Sequence, residues 1–155
     1  MLLIVGILII INKMIENIIH NNKQISIIIR ANFHSKGIEF FTPDSFSQQL
    51  AYMNRPKGYI IPPHVHNPVK REVSFTQEVL LIKSGKVRVD YYDENKLYIE
   101  SRMLNKGDVV LLCGGGHGFK MFEDSEMIEI KQGPYAGDKD KTRFVSIEDE
   151  RVVIK

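Results

Sequence analysis

The stretch that decides the fold runs from residue 78 to residue 92 and reads EVLLIKSGKVRVDYY. Two runs rich in Val, Ile, Leu and Tyr, Glu78–Lys83 and Val87–Tyr92, flank the turn signal Ser84-Gly85. Short apolar, β-branched runs that are bounded by turn residues are typical of neighbouring strands. This stretch therefore predicts two strands that are joined by a tight turn.

The same pattern continues on both sides of this stretch. Many short strands with regularly spaced turns favour a sandwich or a barrel, so we expect an all-β fold. Ile15, Ile18 and Ile19 have helical spacing and predict a short helix over Met14–Asn22. The remaining strands are predicted at Gln24–Arg30, Gly37–Thr42, Tyr59–Ile61, Val65–Asn67, Leu97–Leu104, Val109–Leu112, Gly118–Phe122 and Met127–Gln132.

The chain has 155 residues, which predicts one domain with a single core. We expect an apolar N-terminal extension over residues 1–23, a barrel over 24–137 and a charged C-terminal appendage over 138–155. Arg151–Ile154 could form a last strand. The net charge is +2 and the basic residues are dispersed, which argues against a nucleic-acid partner.

The first eleven residues, Met1–Ile11, form an unbroken apolar run. This run is shorter than the roughly 17–25 residues of a membrane-spanning helix, and it has no signal-peptide flanks. It could be a strand or helix packed on a partner, an upstream extension before a working start at Met14, or an uncleaved anchor. We expect a homodimer rather than a membrane contact. Because Cys113 is the single cysteine, no internal disulfide can form, which favours a cytoplasmic location.

Four residues have side chains that could bind a metal ion. His64 and His66 are two positions apart, so on a strand their imidazoles point to one face. Glu78 and His117 could add a carboxylate and a third imidazole. Such a set suits several divalent ions, among them Fe, Mn, Ni and Zn. The alternatives are exposed histidines at 64 and 66, a solvated Glu78 and a turn residue at 117.

The spacing of these residues resembles the motifs of the cupin superfamily over about Phe40–Gln132. The first cupin motif matches at Gly58, His64, His66, Glu78 and Gly85. The second begins at Gly107, has Cys113 where a proline is expected, and continues with Gly115 and His117.

Two features of the chain depart from the family pattern. The spacer between His66 and Glu78 has eleven residues against the usual three or four, which predicts an extended loop near the site. His117 comes one residue early in the second motif, and we expect the flexible glycines Gly114–Gly116 to absorb the shift.

The resemblance implies a double-stranded β-helix, or jelly-roll barrel, with a metal ion in its mouth bound by His64, His66, Glu78 and His117. It implies a small polar ligand, and it loosely suggests a role in surface-polysaccharide or sugar metabolism. Three functions stay open: a sugar isomerase, epimerase or Fe(II) dioxygenase; a non-catalytic metal-dependent binding module; and a metal-free structural cupin.

Overall fold

The computed structural model describes residues 14–155, and the interpretations of Met1–Ile11 lie outside the described residues. The all-β class is confirmed: the strands form three antiparallel sheets, while a jelly-roll barrel stays a prediction. Two 3-10 helices lie at Gly137–Lys139 and Asp149–Arg151. The strands are β1 (Ile15–His20), β2 (Lys23–Ile29), β3 (Gly37–Phe40), β4 (Ala51–Asn54), β5 (Glu78–Ser84), β6 (Lys86–Tyr92), β7 (Tyr98–Asn105), β8 (Val109–Leu112), β9 (Gly116–Met121) and β10 (Glu126–Lys131).

The described chain divides into two compact units. The larger unit comprises residues 14–33 and 76–155, and the smaller unit comprises residues 34–75. In the larger unit, five strands form one sheet in the order β1-β2-β8-β5-β10, and three form another in the order β7-β6-β9. The smaller unit contains the β3–β4 pair.

The core of the larger unit lies between its two sheets. Inward-facing side chains from both sheets form one apolar cluster, because alternate residues of a strand point to the same face. Ile82 of the five-stranded sheet and Val89 of the three-stranded sheet are both fully buried in it. The other members are Ile18, Ile25, Ile28, Leu80, Val87, Tyr91, Leu104, Val110 and Leu112.

The short helix predicted over Met14–Asn22 is wrong, because Ile15–His20 is a strand paired with β2. Asn21 and Asn22 have φ values of 49° and 60° and join the two strands as a two-residue hairpin. Asparagine tolerates this left-handed conformation, which gives the turn the twist that the flanking strands need. Pairing with β2 therefore decides the conformation of Ile15–His20, although the spacing of its three isoleucines also fits a helix.

The strands predicted at Tyr59–Ile61 and Val65–Asn67 are also wrong, because residues 55–77 contain no strand. Pro56, Pro62, Pro63 and Pro68 lack the N–H that a strand ladder requires. In contrast, Gly37–Phe40 does pair with Ala51–Asn54 in the smaller unit, which confirms the predicted strand there.

The charged C-terminal segment packs on the outer face of the three-stranded sheet. Phe144 stacks edge-on against Tyr92, with ring centroids 5.0 Å apart, and Ile147 N donates to the Tyr92 hydroxyl at 3.0 Å. The predicted last strand at Arg151–Ile154 is reduced to one parallel bridge from Ile154 to Ser101. No helix in residues 14–155 is long and apolar enough to cross a membrane.

Candidate functional site

Glu78 is the first residue of β5, and its side chain points into the sandwich. It shares a strand face with Leu80 and Ile82, which are both buried in the core. In the ladders, Glu78 lies opposite Leu112 of β8 and Lys131 of β10. Only 13% of its side chain is exposed, so this carboxylate needs partners.

His117 supplies the principal partner from the other sheet. It lies on β9 opposite Tyr91, a fully buried core residue, and therefore points inward as well. Its Nε2 is 3.2 Å from Glu78 Oε2, so the contact joins the two sheets across the sandwich. The Phe119 ring lies beside the imidazole, with 5.5 Å between centroids, and packs against the core.

Lys131 completes this inward-facing group, and it was not among the site residues predicted from the sequence. Its Nζ lies 3.5 Å from Glu78 Oε1 and 3.5 Å from Glu129 Oε1. The signal was present in the alternation of β10, because Met127 packs on the core and Lys131 shares its face. We define the inter-sheet cluster as Glu78, His117, Glu129 and Lys131.

The cluster keeps Glu78 ionised. The hydrogen bond from His117 has the largest effect and outweighs burial, which by itself would raise the pKa. The charges of His117 and Lys131 act in the same direction as the hydrogen bond, and the pKa of Glu78 falls from 4.5 to about 2. At neutral pH the site therefore holds a carboxylate, which accepts hydrogen bonds or binds a cation.

This pKa shift predicts a pH-dependent contribution of Glu78 to stability. Because the pKa is lower in the folded chain, the contribution is complete above pH 4.5 and is lost as the pH falls toward 2. In the presence of a chelator, we expect Glu78→Gln to lower the free energy of unfolding by about 1–3 kcal/mol at pH 7. Urea unfolding at pH 7, 4 and 3 measures this loss. The difference in the free energy of unfolding between wild type and Glu78→Gln should shrink as the pH falls.

Glu129→Gln is the matched control for this measurement, because Glu129 lies on the neighbouring strand with 45% of its side chain exposed. Exposed pairs contribute little, so we expect a loss below about 1 kcal/mol at pH 7. A wild-type minus Glu78→Gln difference that stays constant from pH 7 to pH 3 would contradict the role assigned to the ionised carboxylate.

His64 and His66 lie in the smaller unit, on the segment without strands. Both are exposed, and their rings meet edge-on with centroids 5.2 Å apart. His64 Nδ1 is 3.0 Å from the carbonyl oxygen of Pro62. The two imidazoles are therefore neighbours, as their spacing predicts, although the strand expected to orient them is absent.

The structure thus forms two pairs from the four predicted ligands, His64 with His66 and Glu78 with His117. Within residues 14–155, no group of three or more His, Cys, Asp or Glu side chains is arranged to hold a metal ion. The four-ligand site remains a prediction. Cys113 is partly buried, and burial raises the pKa of its thiol to about 12, which makes it a poor metal ligand or nucleophile.

Comparisons with protein-family models, with curated proteins and with solved structures give no match for this chain.

Proposed function

We propose that this chain is a metal-binding cupin that holds one divalent ion, Fe, Mn, Ni or Zn, and binds a small polar ligand beside it. The observation that carries the proposal is the inward-facing contact between Glu78 and His117. These residues come from different sheets, yet they present a carboxylate and an imidazole to the same point. The cupin-like spacing of the sequence assigns His64 and His66 as the other two ligands.

The distance between the two inward-facing ligand atoms fits a shared ion. Metal–nitrogen and metal–oxygen bonds of about 2.1 Å place neighbouring ligands of an octahedral ion about 3 Å apart. Glu78 Oε2 and His117 Nε2 are separated by 3.2 Å. Glu78 is ionised at neutral pH and has no proton to release, whereas the His117 Nε2 that donates to it must be unprotonated to bind a cation.

In this proposal, Glu78, His117 and the neighbouring Phe119 each have a defined task. Glu78 and His117 hold the ion, which supplies Lewis-acid chemistry or a fixed point for a chelating ligand. Phe119 forms an apolar wall beside the imidazole and limits the approach of water from that side. The larger unit thereby provides a rigid base for the site, because both ligands lie on strands of its core.

The proposal predicts one metal ion per chain after purification without chelator. We expect Glu78→Gln and His117→Ala to lower metal affinity by about 10-fold or more, because each removes a ligand. His64→Ala and His66→Ala should have the same effect if the motif assigns them correctly. The measurement is elemental analysis of purified protein together with titration by Zn(II) and Mn(II).

His20→Ala is the matched control for these variants. His20 is an imidazole at the end of β1 and belongs to neither predicted ligand pair. It should retain the metal content of wild type. Metal far below one equivalent in both wild type and His20→Ala would contradict the proposal.

One observation favours the metal-free structural cupin as the second candidate. The Lys131 ammonium already lies beside Glu78 and offsets its charge without any ion. In that case Glu78, His117 and Lys131 would form a purely structural ion-pair network between the sheets. The metal analysis above separates the two functions, since only the first requires a stoichiometric ion.

A further inference from the structure

Residues 144–155, which we call the docked segment, lie on the three-stranded sheet as an extended peptide lies on its receptor. Phe144 packs edge-on against Tyr92 and also covers Gly116, where an added Cβ would lie 3.0 Å from Phe144 Cζ. Ile147 N donates to the Tyr92 hydroxyl at 3.0 Å. The first part of the segment is therefore held by one aromatic ring and its hydroxyl.

Two cations of the sheet hold the middle of the docked segment. Arg88 Nη1 donates to Asp149 Oδ1 at 2.9 Å, and the Lys120 ammonium pairs with the other oxygen of that carboxylate. Both cations also lie near the Phe122 ring, 5.9 Å and 5.8 Å from its centroid. The surface thus presents a positive site that matches one carboxylate.

The edge of β7 holds the end of the docked segment through its backbone. Ser101 N donates to the Val153 carbonyl oxygen at 2.9 Å, and the Ser101 carbonyl oxygen accepts from Lys155 N at 3.1 Å. Val153 N donates to the Tyr98 hydroxyl at 2.9 Å. Pairing of main chain with a strand edge is a recurrent way to bind an extended peptide.

The surface beneath the segment does not need the segment to keep its shape. Its contact residues belong to β6, β7 and β9, which pair with one another. When Asp149 leaves, Arg88 retains its two hydrogen bonds to Asp90, so no buried charge loses its last partner. The surface can therefore exchange its occupant without unfolding.

The docked segment, in contrast, is weakly anchored. None of the side chains in residues 144–155 is fully buried, so little apolar area opposes release. Residues 133–143, which connect the segment to β10, form no strand and contain the 3-10 turn at Gly137–Lys139. When extended at up to about 3.3–3.6 Å per residue, this connection allows the segment to reach a neighbouring molecule.

We propose that this face of the three-stranded sheet is a docking surface for residues 144–155 of a second copy of the chain, which replace the chain's own segment. The second copy has the same sequence, so its aromatic ring, its carboxylate and its backbone make the same contacts. Exchange in both directions links two chains twice, and the second docking event is then intramolecular. This inference does not rest on the proposed metal site.

The first test uses the full chain with Phe144→Ala/Asp149→Ala, which weakens its own segment and leaves the surface intact. The probe is a fluorescent synthetic peptide of residues 144–155, and binding is measured by anisotropy. We expect this variant to bind the peptide about 10-fold or more tightly than wild type, whose own segment competes. An absence of saturable binding to the variant would overturn the inference.

A second substitution in the same variant tests the surface. Lys120→Met removes one cation and should weaken peptide binding about twofold to fivefold, because the pair is half-exposed. Lys83→Met is the matched control, because Lys83 lies on the five-stranded sheet and pairs with the exposed Glu126 at 3.1 Å. Equal effects of the two substitutions would contradict the assigned surface.

Light scattering of wild type over a range of concentrations tests the exchange between copies. We expect the dimer fraction to rise with concentration, and an excess of the peptide to convert the dimer to monomer. A peptide that carries Phe144→Ala and Asp149→Asn should leave the dimer intact. A chain that is monomeric at every concentration, or a dimer that persists in excess peptide, would overturn the inference.

Discussion

Asp90→Ala is expected to lower the free energy of unfolding by about 3–5 kcal/mol, because it leaves the buried Arg88 guanidinium without its main partner. Arg88 and Asp90 lie two positions apart on β6, and each side chain is only 5% exposed. The guanidinium donates to both carboxylate oxygens, from Nε at 2.7 Å and from Nη2 at 3.0 Å. The Ser101 hydroxyl donates to the same carboxylate.

The expected loss is large because the remaining partner of Arg88 is poorly placed to compensate. Asp149 accepts from Arg88 Nη1 at 2.9 Å, but its side chain is 50% exposed and belongs to the C-terminal segment. Lys120 also pairs with that carboxylate. A single solvated carboxylate shared by two cations cannot replace a bidentate buried one.

Urea unfolding followed by circular dichroism measures this loss, and Asp149→Ala is the matched control. That variant removes the half-exposed carboxylate while Asp90 stays in place, so we expect a loss below about 1 kcal/mol. The double variant Arg88→Met/Asp90→Ala removes the buried charge together with its partner and should recover part of the stability. Equal losses for Asp90→Ala and Asp149→Ala would show that the Arg88 charge is solvated rather than buried.

Most strands of the larger unit could be predicted from the sequence because one simple signal defines them. The runs from Glu78 to Tyr92 alternate around an inward face, and Gly85 provides the turn between them at a φ of 83°. The failures have physical causes that a local pattern does not contain. The spacing of Ile15, Ile18 and Ile19 fits a helix, but pairing with β2 decides their conformation.

The candidate site was predictable in part for the same reason. Glu78 shares a face with Leu80, so the alternation of β5 correctly predicts that its carboxylate points inward. The contact with His117 depends on how two sheets pack, which no local spacing encodes. Lys131 was not predicted as a site residue because a lysine on a strand is far more often exposed to solvent than buried.

Gly115→Ala is the second substitution for which we expect a large loss of stability. It should lower the free energy of unfolding by about 2–5 kcal/mol. Gly115 has a φ of 63°, a left-handed conformation that costs an L-residue about 1–2 kcal/mol. A Cβ there would also lie 2.3 Å from the Tyr92 carbonyl oxygen, which forces the backbone to move. Such overpacking typically costs about 1–3 kcal/mol more.

Gly137→Ala separates the two contributions, because Gly137 has a similar φ of 67° but open space where its Cβ would lie. We expect it to cost only the conformational term, about 1–2 kcal/mol. Urea unfolding of both variants measures the difference. Equal losses in the free energy of unfolding would mean that the close approach of a Cβ at Gly115 to the Tyr92 carbonyl oxygen adds no destabilisation.

The turn at Gly115 matters to the site because it leads directly into β9. Gly116 lies opposite Tyr92 in the ladder, and His117 follows opposite Tyr91. A shift of the Tyr92 carbonyl or of the turn would therefore move the imidazole away from Glu78. We expect Gly115→Ala to lose metal affinity together with stability, whereas Gly137→Ala should keep the metal content of wild type.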